Sequence, residues 1–470
     1  MMPDAWLSGE VAVIGLGRSG RAAALLLRRS GARVYASDAG SSGALESSAQ
    51  ELRGVGVAVD LGRHDLARIG AAALVVASPG VPPSSVPLVA ARERGVPIVG
   101  EVEVALRLLD RVRYLAVTGT NGKTTTTALA GHLLAALGHD AVAAGNIGTA
   151  VAEVALRPTP PAWIALEVSS FQLHDTPSID PTVGVLTNLS PDHLDRYPGV
   201  EAYYADKRLL FRNAHAESHW VINGEDARAR AMTEGVPGVQ HCFALEAPSA
   251  DAYYDRRADT LVVLDRPLLP RRELALLGDH NVANALAAVL AVAVADPAHR
   301  TPAAWQRLAS GLRSFRALPH RLEIVGEPDG VLWINDSKAT NVSSTVVAIA
   351  GMTRPTIVLL GGRHKGESYA GLAEALRRVG KRVLAFGEAA TIIEADLGAV
   401  VPVDRMGFSF SDVVARARSL AERGDAVLLS PACSSFDMFE NYEHRGAEFR
   451  RLALAPPVAQ VGALHPGGSH

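Results

Sequence analysis

The sequence has very little cysteine, no long apolar run and no block of like charge, and each absence excludes a class of protein. Its two cysteines, Cys242 and Cys433, lie too far apart for a disulfide framework or a metal-binding spacing, which indicates a reducing compartment. The most apolar stretch, residues 285–295, falls short of the roughly 18 residues that a membrane span needs. Residues 1–10 lack the basic and apolar regions of a signal peptide. With a net charge of -3, nucleic acid is not an expected partner, and we expect a cytoplasmic protein.

A chain of 470 residues is long enough for two to four domains. Short runs of Val, Ile, Leu and Ala alternate with helical patterns, as buried parallel strands do in doubly wound α/β proteins. This pattern restarts near Asp110 and near Ala317. We therefore predict an α/β protein with a Rossmann-like N-terminal domain at residues 1–110, a P-loop-type central ATPase domain at 111–317 and a Rossmann-like C-terminal domain at 318–470. Residues 461–470 are rich in Gly and Pro and predict a disordered end.

A glycine-rich turn follows the first predicted strand. Residues 11–14 are apolar and lead into the sequence GLGRSG at residues 15–20, and Asp38 follows the next predicted strand. Glycines at such a turn let backbone N–H groups approach a diphosphate at a helix N-terminus, and the acid can reach a ribose or a base. The same turn also occurs for tight packing alone, and it is the usual mark of a nicotinamide-binding dehydrogenase. The motif indicates a nucleotide ligand without fixing its identity.

A second loop, GTNGKT at residues 119–124, joins a predicted strand to a helical run at 128–137. Small residues expose N–H groups to phosphate, Lys123 neutralises phosphate charge, and the Thr124 hydroxyl can bind Mg²⁺. The loop is shorter than the common P-loop, because Val117 stands where that pattern has its first glycine. The order of strand, lysine, hydroxyl and helix is intact, and we predict that this loop holds the phosphates of ATP.

Polar side chains follow further strands of the central domain. Glu167 ends one predicted strand, and His193 comes shortly after another. Because the carboxyl ends of parallel strands meet at the ligand-binding edge of a sheet, a carboxylate and an imidazole there favour a second divalent ion. A lone histidine after a strand is equally compatible with a capping or core role. Lys207 lies in a charged helix and by itself predicts only a solvated side chain.

In the C-terminal domain, polar clusters follow two predicted strands, at residues 335–341 and 361–365. They bring lysines and hydroxyls to the ends of strands, where they suit an anionic substrate or a developing oxyanion. Each cluster alone is also compatible with an ordinary polar loop. Together they predict half of a substrate site.

These residues together resemble the Mur ligases of peptidoglycan synthesis, and the likeness covers nearly the whole chain. General features of that family are the GTNGKT loop, Glu167, His193, GDHNVAN at residues 278–284 and PHR at 319–321. Folylpolyglutamate synthases share these features, so they indicate a mechanism and not a substrate. Narrower features resemble the branch that adds D-glutamate: residues 78–80, 145–148, 335–341 and 429–437, followed by Arg445, Gly446 and Phe449.

The resemblance implies a role for each matched residue. The catalytic residues would be Lys123, His193, Lys207 and Lys338, with Lys207 carbamylated. Metal ligands would be Thr124, Glu167, His193 and Lys207. ATP would contact Gly119, Thr120, Asn121, Gly122, Lys123, Thr124, Thr125, Asn281 and Arg321. A uridine-linked substrate would contact Gly15, Leu16, Gly17, Arg18, Ser19, Asp38, Ser78, Pro79, Gly80, Asn146 and Ser169. D-Glutamate would contact Lys338, Thr340, Lys365, Ser435 and Phe436.

The reaction that the resemblance implies joins D-glutamate to UDP-N-acetylmuramoyl-L-alanine through an acyl phosphate, with ATP and two Mg²⁺ ions, in a monomeric enzyme. A related ligase that uses L-glutamate or another Mur-family amino acid is the nearest alternative, and an amino-acid panel would separate the two. A nucleotide-dependent binding protein without turnover is a further alternative. It is disfavoured because Glu167, His193, Lys207 and Lys338 are all present.

Three positions depart from the family pattern. The segment after Asp38 lacks an arginine that many relatives have. Arg363 and His364 replace the acidic residue often found before Lys365, and Tyr442 stands where phenylalanine is common. Contacts to uracil, ATP and glutamate are the ones that these departures affect.

Overall fold

The computed structural model describes residues 2–109, 111–192 and 196–455. Its strands form three separate sheets. The chain groups into two compact units, one formed by residues up to Ala275 with Asn281–Phe315, the other by Leu276–His280 with the chain from Arg316. The α/β class with three parallel-sheet domains is confirmed. The boundaries near Asp110 and Ala317 stay predictions, and Asp110 and the tail at 461–470 lie outside the described residues.

The first sheet has five parallel strands in the order β3-β2-β1-β4-β5. Its strands are β1 Glu10–Ile14, β2 Arg33–Asp38, β3 Ala58–Leu61, β4 Leu74–Ala77 and β5 Ile98–Gly100. Its helices are α1 Asp4–Leu7, α2 Arg18–Arg29, α3 Gly43–Gly54, α4 Leu66–Gly70, α5 Val86–Glu93 and α6 Glu101–Leu108. Because β1 pairs with β2 on one side and with β4 on the other, the strand order reverses at β1. Ligands of open α/β sheets bind in the crevice at such a reversal.

The second sheet has nine strands in the order β14-β13-β12-β11-β10-β9-β6-β8-β7. They are β6 Arg113–Thr118, β7 Ala141–Gly145, β8 Trp163–Glu167, β9 Val183–Leu186, β10 His219–Asn223, β11 Val239–Ala244, β12 Ala252–Asp255, β13 Thr260–Val263 and β14 Arg266–Pro270. Its helices are α7 Lys123–Ala136, α8 Val151–Ala155, α9 Ser170–His174, α10 Val200–Arg208, α11 Ala227–Met232, α12 Asp279–Ala295 and α13 Pro302–Ser314. Strands β6 to β12 pair in parallel, and β13 and β14 form an antiparallel edge.

The third sheet has six strands in the order β15-β16-β20-β17-β18-β19, with β15 antiparallel to β16 and the other pairs parallel. They are β15 Glu323–Gly326, β16 Leu332–Asn335, β17 Thr356–Gly361, β18 Gly380–Phe386, β19 Val403–Arg405 and β20 Ala426–Leu429. Its helices are α14 Val342–Ala350, α15 Ala373–Val379, α16 Ala390–Leu397, α17 Phe410–Leu420 and α18 Tyr442–Leu454. Short 3₁₀ helices are Leu209–Phe211, Arg271–Glu273, Pro297–Arg300, Pro328–Gly330 and Tyr369–Leu372.

The most apolar stretch of the sequence forms the middle of α12. Every side chain from Ala285 to Ala293 is 0% exposed. A helix that is apolar on all sides is buried in a protein core or in a membrane. No helix within the described ranges is long and apolar enough to cross a membrane. The stretch is therefore a core helix of the central domain.

Gly20 lets α2 pack closely against the glycine-rich turn. A Cβ at position 20 would lie 1.8 Å from the Gly15 carbonyl oxygen and 2.4 Å from Ser78 Oγ. That carbonyl already accepts a hydrogen bond of 2.8 Å from Ser78 Oγ. The third glycine of the motif is thus required by helix packing, whatever the turn binds.

Replacing Gly20 by alanine should destabilise the protein by about 1–3 kcal/mol, the usual cost of overpacking, because backbone atoms must move. Gly17→Ala is the matched control, since residue 17 has φ of -61° and an added Cβ there meets nothing within 4 Å. Thermal unfolding of the full chain should show a lower melting temperature for G20A and an unchanged one for G17A. Equal melting temperatures would contradict the packing role.

Candidate active site

The predicted phosphate loop connects β6 to α7 and has an unusual backbone. Gly119 has φ of +142°, and a Cβ there would lie 2.0 Å from Thr187 Oγ1. Only glycine fits so close to the loop that follows β9. Position 119 therefore has to be glycine, because Thr187 leaves no room for a side chain there.

The loop that follows β9 holds the phosphate loop in place. Asn188 accepts from the N–H of Thr120 with its carbonyl oxygen (2.9 Å) and from the N–H of Asn121 with Oδ1 (2.9 Å). The Thr187 hydroxyl donates to the Asn121 carbonyl at 2.6 Å. Two N–H groups of the predicted ATP contacts are thus already committed to the protein. Phosphate would be met instead by the first turn of α7, where helix N–H groups have no intrahelical acceptor.

Two lysines converge on one carbonyl oxygen of this loop. Lys123 Nζ donates to the Gly119 carbonyl (2.9 Å) and to that of Thr120 (2.7 Å). Lys207 Nζ, on α10, donates to the same Gly119 oxygen at 2.7 Å and lies 4.6 Å from the centre of the Tyr203 ring. Lys207 is 1% exposed. Burial, and then the charge of Lys123, lower the pKa of Lys207 well below its usual value. Lys207 is therefore not the solvated side chain that its local sequence predicts.

Glu167 ends β8 beside the loop, since it pairs with Val117 of β6. The side chain is 1% exposed. Asn146 Nδ2 donates to Oε1 at 2.8 Å, whereas Oε2 has no hydrogen-bond partner among the described residues. A buried carboxylate oxygen without a donor fits a hard divalent cation, which prefers such oxygens. The Thr124 side chain, in the first turn of α7, is 9% exposed.

Of the other predicted metal ligands, His193 lies outside the described residues. Within the described ranges, no group of three or more His, Cys, Asp or Glu side chains is placed to hold a metal ion. The fit to Mg²⁺ therefore rests on Glu167, and a ligand set of four stays a prediction.

Two asparagines near the start of α12 belong to the same region. Asn284 Nδ2 donates to Asn281 Oδ1 at 3.1 Å, and Thr126 Oγ1 donates to Asn284 Oδ1 at 3.3 Å. A Cβ at position 122 would lie 2.3 Å from that Asn284 oxygen. Asn284 thus supports the phosphate loop, a role that the sequence did not predict. Asn281 is 6% exposed and is placed beside it.

The glycine turn of the first sheet lines a separate pocket of about 490 Å³. Gly15, Gly17, Arg18, Ser19, Asp38, Ser78, Pro79 and Gly80 line it, and Leu16 is buried behind them. Asp38 accepts from the N–H of Leu16 (2.7 Å) and from that of Gly40 (2.8 Å). Both of its carboxylate oxygens therefore shape the turn. A contact from Asp38 to ribose or base stays a prediction.

Arg18 and Asn146 link this pocket to the phosphate loop. Arg18 Nε donates to both Glu153 oxygens at 2.9 Å, and Arg18 Nη1 donates to the Gly148 carbonyl at 2.7 Å. Gly148 and Asn146 lie in the loop between β7 and α8, and Asn146 holds Glu167. Ser169 caps α9, where its Oγ accepts from the Gln172 N–H at 3.2 Å. Both Asn146 and Ser169 thus have structural partners in addition to their predicted substrate contacts.

The second compact unit contains the predicted glutamate contacts. Lys338 Nζ donates to the Tyr442 hydroxyl at 2.9 Å, and Lys365 Nζ donates to Thr340 Oγ1 at 3.3 Å. Ser435 is 2% exposed, whereas Phe436 is 61% exposed. Arg321 follows His320, which has φ of +63°, and its charge acts on the buried Asp336, whose pKa burial raises to about 7. The structure thus joins Lys338 to Tyr442 and Lys365 to Thr340.

Arg445 is a buried cation of this unit that matches the family pattern but had no predicted role. Its Nη2 donates to the Ser337 carbonyl (2.9 Å) and the Cys433 carbonyl (3.1 Å), and Nη1 donates to the Gly361 carbonyl (3.4 Å). The carbonyls of Ser337 and Cys433 follow β16 and β20, and that of Gly361 ends β17. The side chain is 0% exposed, and burial lowers its pKa to about 10. Arg445 thus fixes the strand-end loops that carry the predicted glutamate contacts.

One compositional signal would have found Lys207. The chain has only five lysines: Lys123, Lys207, Lys338, Lys365 and Lys381. Basic surface positions are otherwise arginine, so a lysine here marks a position where a compact ammonium is needed. Four of the five are predicted site residues, and the fifth, Lys381, forms ion pairs with Asp425 and Glu422.

Glu167→Gln should leave the ligand-free protein as stable or slightly more stable, because a buried charge with one unmet oxygen becomes neutral. Stabilisation by Mg²⁺ with an ATP analogue should be lost, and turnover should fall on the order of 100-fold. Melting temperatures with and without Mg²⁺ and analogue test this. Glu103→Gln is the control, because that buried carboxylate accepts from Ser178 and Arg107. It should lower stability and keep the Mg²⁺ response, and the same pattern in E167Q would refute the metal role.

Models of the Mur ligase family match three parts of the chain. The model of the MurD-like N-terminal domain matches residues 9–100, that of the Mur ligase middle domain residues 117–292, and that of the Mur ligase glutamate ligase domain residues 320–433. These matches fall on the three sheets described above.

Curated relatives are similar over nearly the full length. The UDP-N-acetylmuramoylalanine–D-glutamate ligase of Anaeromyxobacter dehalogenans is 43% identical over 457 residues, which cover 94% of this chain and 97% of that protein. The protein of the same name from Myxococcus xanthus is 40% identical over 459 residues, covering 96% of this chain and 99% of that protein.

Solved structures share the fold at lower identity. The UDP-N-acetylmuramate-alanine ligase MurC from Thermotoga maritima is 19% identical with a TM-score of 0.57, covering 94% of this chain and 98% of that one. A pseudomurein peptide ligase type C from Methanothermus fervidus is 19% identical with a TM-score of 0.55, covering 90% and 96%. On the full-length relatives and the three family models together, the chain belongs to the Mur ligase family, among ligases of the MurD type.

Proposed function

We propose that this chain is the ATP-dependent ligase that joins D-glutamate to UDP-N-acetylmuramoyl-L-alanine in peptidoglycan biosynthesis. Full-length similarity to curated ligases of that name carries the proposal. The chain's own geometry supports the ATP-dependent part, through a preformed loop with two ammonium groups and a buried carboxylate beside it.

ATP is proposed to bind with its phosphates at the N-terminus of α7. The contacts would be residues 119–125 with Asn281 and Arg321. Lys123 would leave the loop carbonyls that it now contacts and donate to phosphate oxygens, whose charge attracts it more strongly. Because Asn188 and Thr187 already hold the loop, little backbone ordering has to accompany binding.

Two Mg²⁺ ions are proposed, held by Thr124, Glu167, His193 and a carbamylated Lys207. A bound divalent cation supplies charge neutralisation at the phosphates. Glu167 supports the assignment with its unmet carboxylate oxygen. Lys207 supports it through burial, since a lowered pKa leaves an amine that is uncharged, and able to react with carbon dioxide, at a pH where an exposed lysine is protonated.

The uridine-linked substrate is proposed to bind in the pocket at the carboxyl edge of the first sheet. The backbone N–H groups of the turn at residues 15–20 and the N-terminus of α2 suit its diphosphate. Asp38, Ser78, Pro79 and Gly80 would line the nucleotide, and Asn146 and Ser169 the sugar and its peptide. The pocket of about 490 Å³ is of the size that ligand sites have.

The reaction has two steps. The terminal carboxylate of the muramoyl-L-alanine attacks the γ-phosphorus of ATP, which releases ADP and leaves an acyl phosphate on the substrate. The amine of D-glutamate then attacks the acyl carbon, and a proton and inorganic phosphate leave as the amide forms. Lys123 stabilises the transferring phosphoryl group, and Lys338 stabilises the oxyanion of the tetrahedral intermediate.

D-Glutamate is proposed to bind through Lys338, Thr340, Lys365, Ser435 and Phe436. Lys365 and Thr340 are in contact, so a carboxylate could bind both the ammonium and the hydroxyl. Arg445 supports the assignment because it fixes the loops on which Lys338 and Ser435 lie. We further propose that the protein acts in the cytoplasm as a monomer, with small molecules as its partners and without nucleic acid or membrane.

Phosphate release identifies the amino acid. With UDP-N-acetylmuramoyl-L-alanine, ATP and Mg²⁺, the purified protein should release phosphate with D-glutamate and not with L-glutamate, meso-diaminopimelate or lysine. K123M should abolish release, because one charge at the phosphates is lost. Release above background with L-glutamate or another amino acid instead would identify a different ligase of the family, and no release with any of them would reject the proposal.

Carbamylation of Lys207 has a direct readout. In ¹³C-bicarbonate at neutral pH, the protein should show a carbamate carbon signal that K207R lacks. Because the pKa of Lys207 is lowered, a larger fraction of this side chain is the neutral amine required for the reaction than in an exposed lysine, and that fraction falls on acidification. The signal should therefore weaken as the pH is lowered. Equal spectra for the wild type and K207R would rule the modification out.

A further inference from the structure

The pocket of the first sheet is lined by a histidine, His64, that has no part in the function proposed above. His64 lies in the segment between β3 and α4 and lines the pocket together with Asp38 and Ala39. Its Nδ1 is 2.9 Å from the hydroxyl of Ser37, which is 0% exposed. The ring is thus fixed by a buried partner, and Nε2 has no hydrogen-bond partner among the described residues.

The other charged groups of this pocket are engaged elsewhere. Both carboxylate oxygens of Asp38 accept from backbone N–H groups. Arg18 is paired with Glu153 and the Gly148 carbonyl. Ala39 and Gly40, which follow Asp38, carry no polar side chain. On the side of the pocket formed by β2 and β3, His64 therefore supplies the side-chain hydrogen-bonding group that remains for a ligand.

The position of β3 indicates which part of a nucleotide His64 meets. The diphosphate-binding turn and the N-terminus of α2 follow β1, and β3 lies two strands away in the order β3-β2-β1. Neighbouring strands are about 4.8 Å apart, so the end of β3 is about 10 Å from that of β1. A nucleoside that extends from the turn along the sheet edge places its base, the part farthest from the diphosphate, at β3.

We propose that His64 binds the polar edge of the uracil base and selects uracil over cytosine, an inference that rests on the proposed uridine-linked substrate. Uracil presents an acceptor at O4 and a donor at N3, and cytosine presents a donor and an acceptor at the same two places. With Nδ1 held by Ser37, a proton on Nε2 would be donated to O4 of uracil. At the same place cytosine has an amino group, which is also a donor, so the two groups could not pair. Burial lowers the pKa of His64, although the Asp38 carboxylate opposes this, and the ring that meets the base is neutral at neutral pH.

Equilibrium binding of UDP, CDP and ADP to the full chain tests the proposal without turnover. The wild type should prefer UDP over CDP. His64→Ala should weaken UDP binding about tenfold, as loss of one well-placed hydrogen bond does, and should remove the preference over CDP. Ser37→Ala keeps the imidazole but removes the hydrogen bond that holds it. It should reduce the preference for UDP over CDP less than His64→Ala does. Arg63→Ala is the control, since this neighbouring side chain is 77% exposed and forms an ion pair with Asp60 at the surface.

The outcomes separate this inference from the proposed function. If the wild type binds UDP and H64A binds it equally tightly with the same UDP to CDP ratio, His64 does not contact the base and the ligase assignment is unaffected. If the wild type binds UDP no better than ADP, the pocket is not a uridine site, and both the role of His64 and the uridine-linked substrate are rejected. If H64A does not fold, the UDP to CDP ratio of S37A decides, and an unchanged ratio there overturns the proposal.

Discussion

The central domain depends on the Gly119 carbonyl, which accepts hydrogen bonds from the ammonium groups of both Lys123 and Lys207. Two like charges at one oxygen repel each other, and burial adds to the cost of Lys207. The arrangement persists because Gly119 adopts a backbone geometry that turns its carbonyl toward both lysines and because the loop after β9 holds it there. The predicted phosphate site therefore already has two lysine side chains held on a fixed loop before any polyphosphate binds.

The second compact unit also contains a buried cation that donates to backbone carbonyls, and here it is an arginine. Arg445 is buried, forms no ion pair with a carboxylate among the described residues, and donates instead to carbonyls at the ends of three adjacent strands. Neutral acceptors leave the positive charge uncancelled, and with a pKa of about 10 the side chain stays protonated at neutral pH. The planar guanidinium reaches three loops at once, which an ammonium could not do with the same geometry. In both units a buried cation thus orders the backbone around a predicted anion site.

Local pattern was enough to predict the central strands, because β1, β4, β6, β8 and β9 are short continuous apolar runs buried on both faces. Among the strands that this pattern did not predict, β10 to β14 extend the central sheet toward an antiparallel edge, and each contains at least one residue that is not fully buried. Site residues on glycine motifs were predictable for the same local reason. Lys207 and Asn284 were not, since their partners Gly119 and Thr126 lie 88 and 158 residues away. The small number of lysines in the chain would have indicated that Lys207 is a functional residue.

The ion pair of Arg18 decides how the first domain can recognise a nucleotide. Because Glu153 neutralises Arg18, and both oxygens of Asp38 accept hydrogen bonds from the turn, neither side chain offers an uncompensated positive charge to the pocket. Attraction for a diphosphate then comes from backbone N–H groups and the α2 N-terminus, which bind any nucleotide alike. Arg18 also ties the turn to the loop of Asn146, which positions Glu167. Under the proposals made above, discrimination among bases is then left to uncharged hydrogen-bonding groups, of which the imidazole of His64 is the one that lines the pocket beside Asp38 and Ala39.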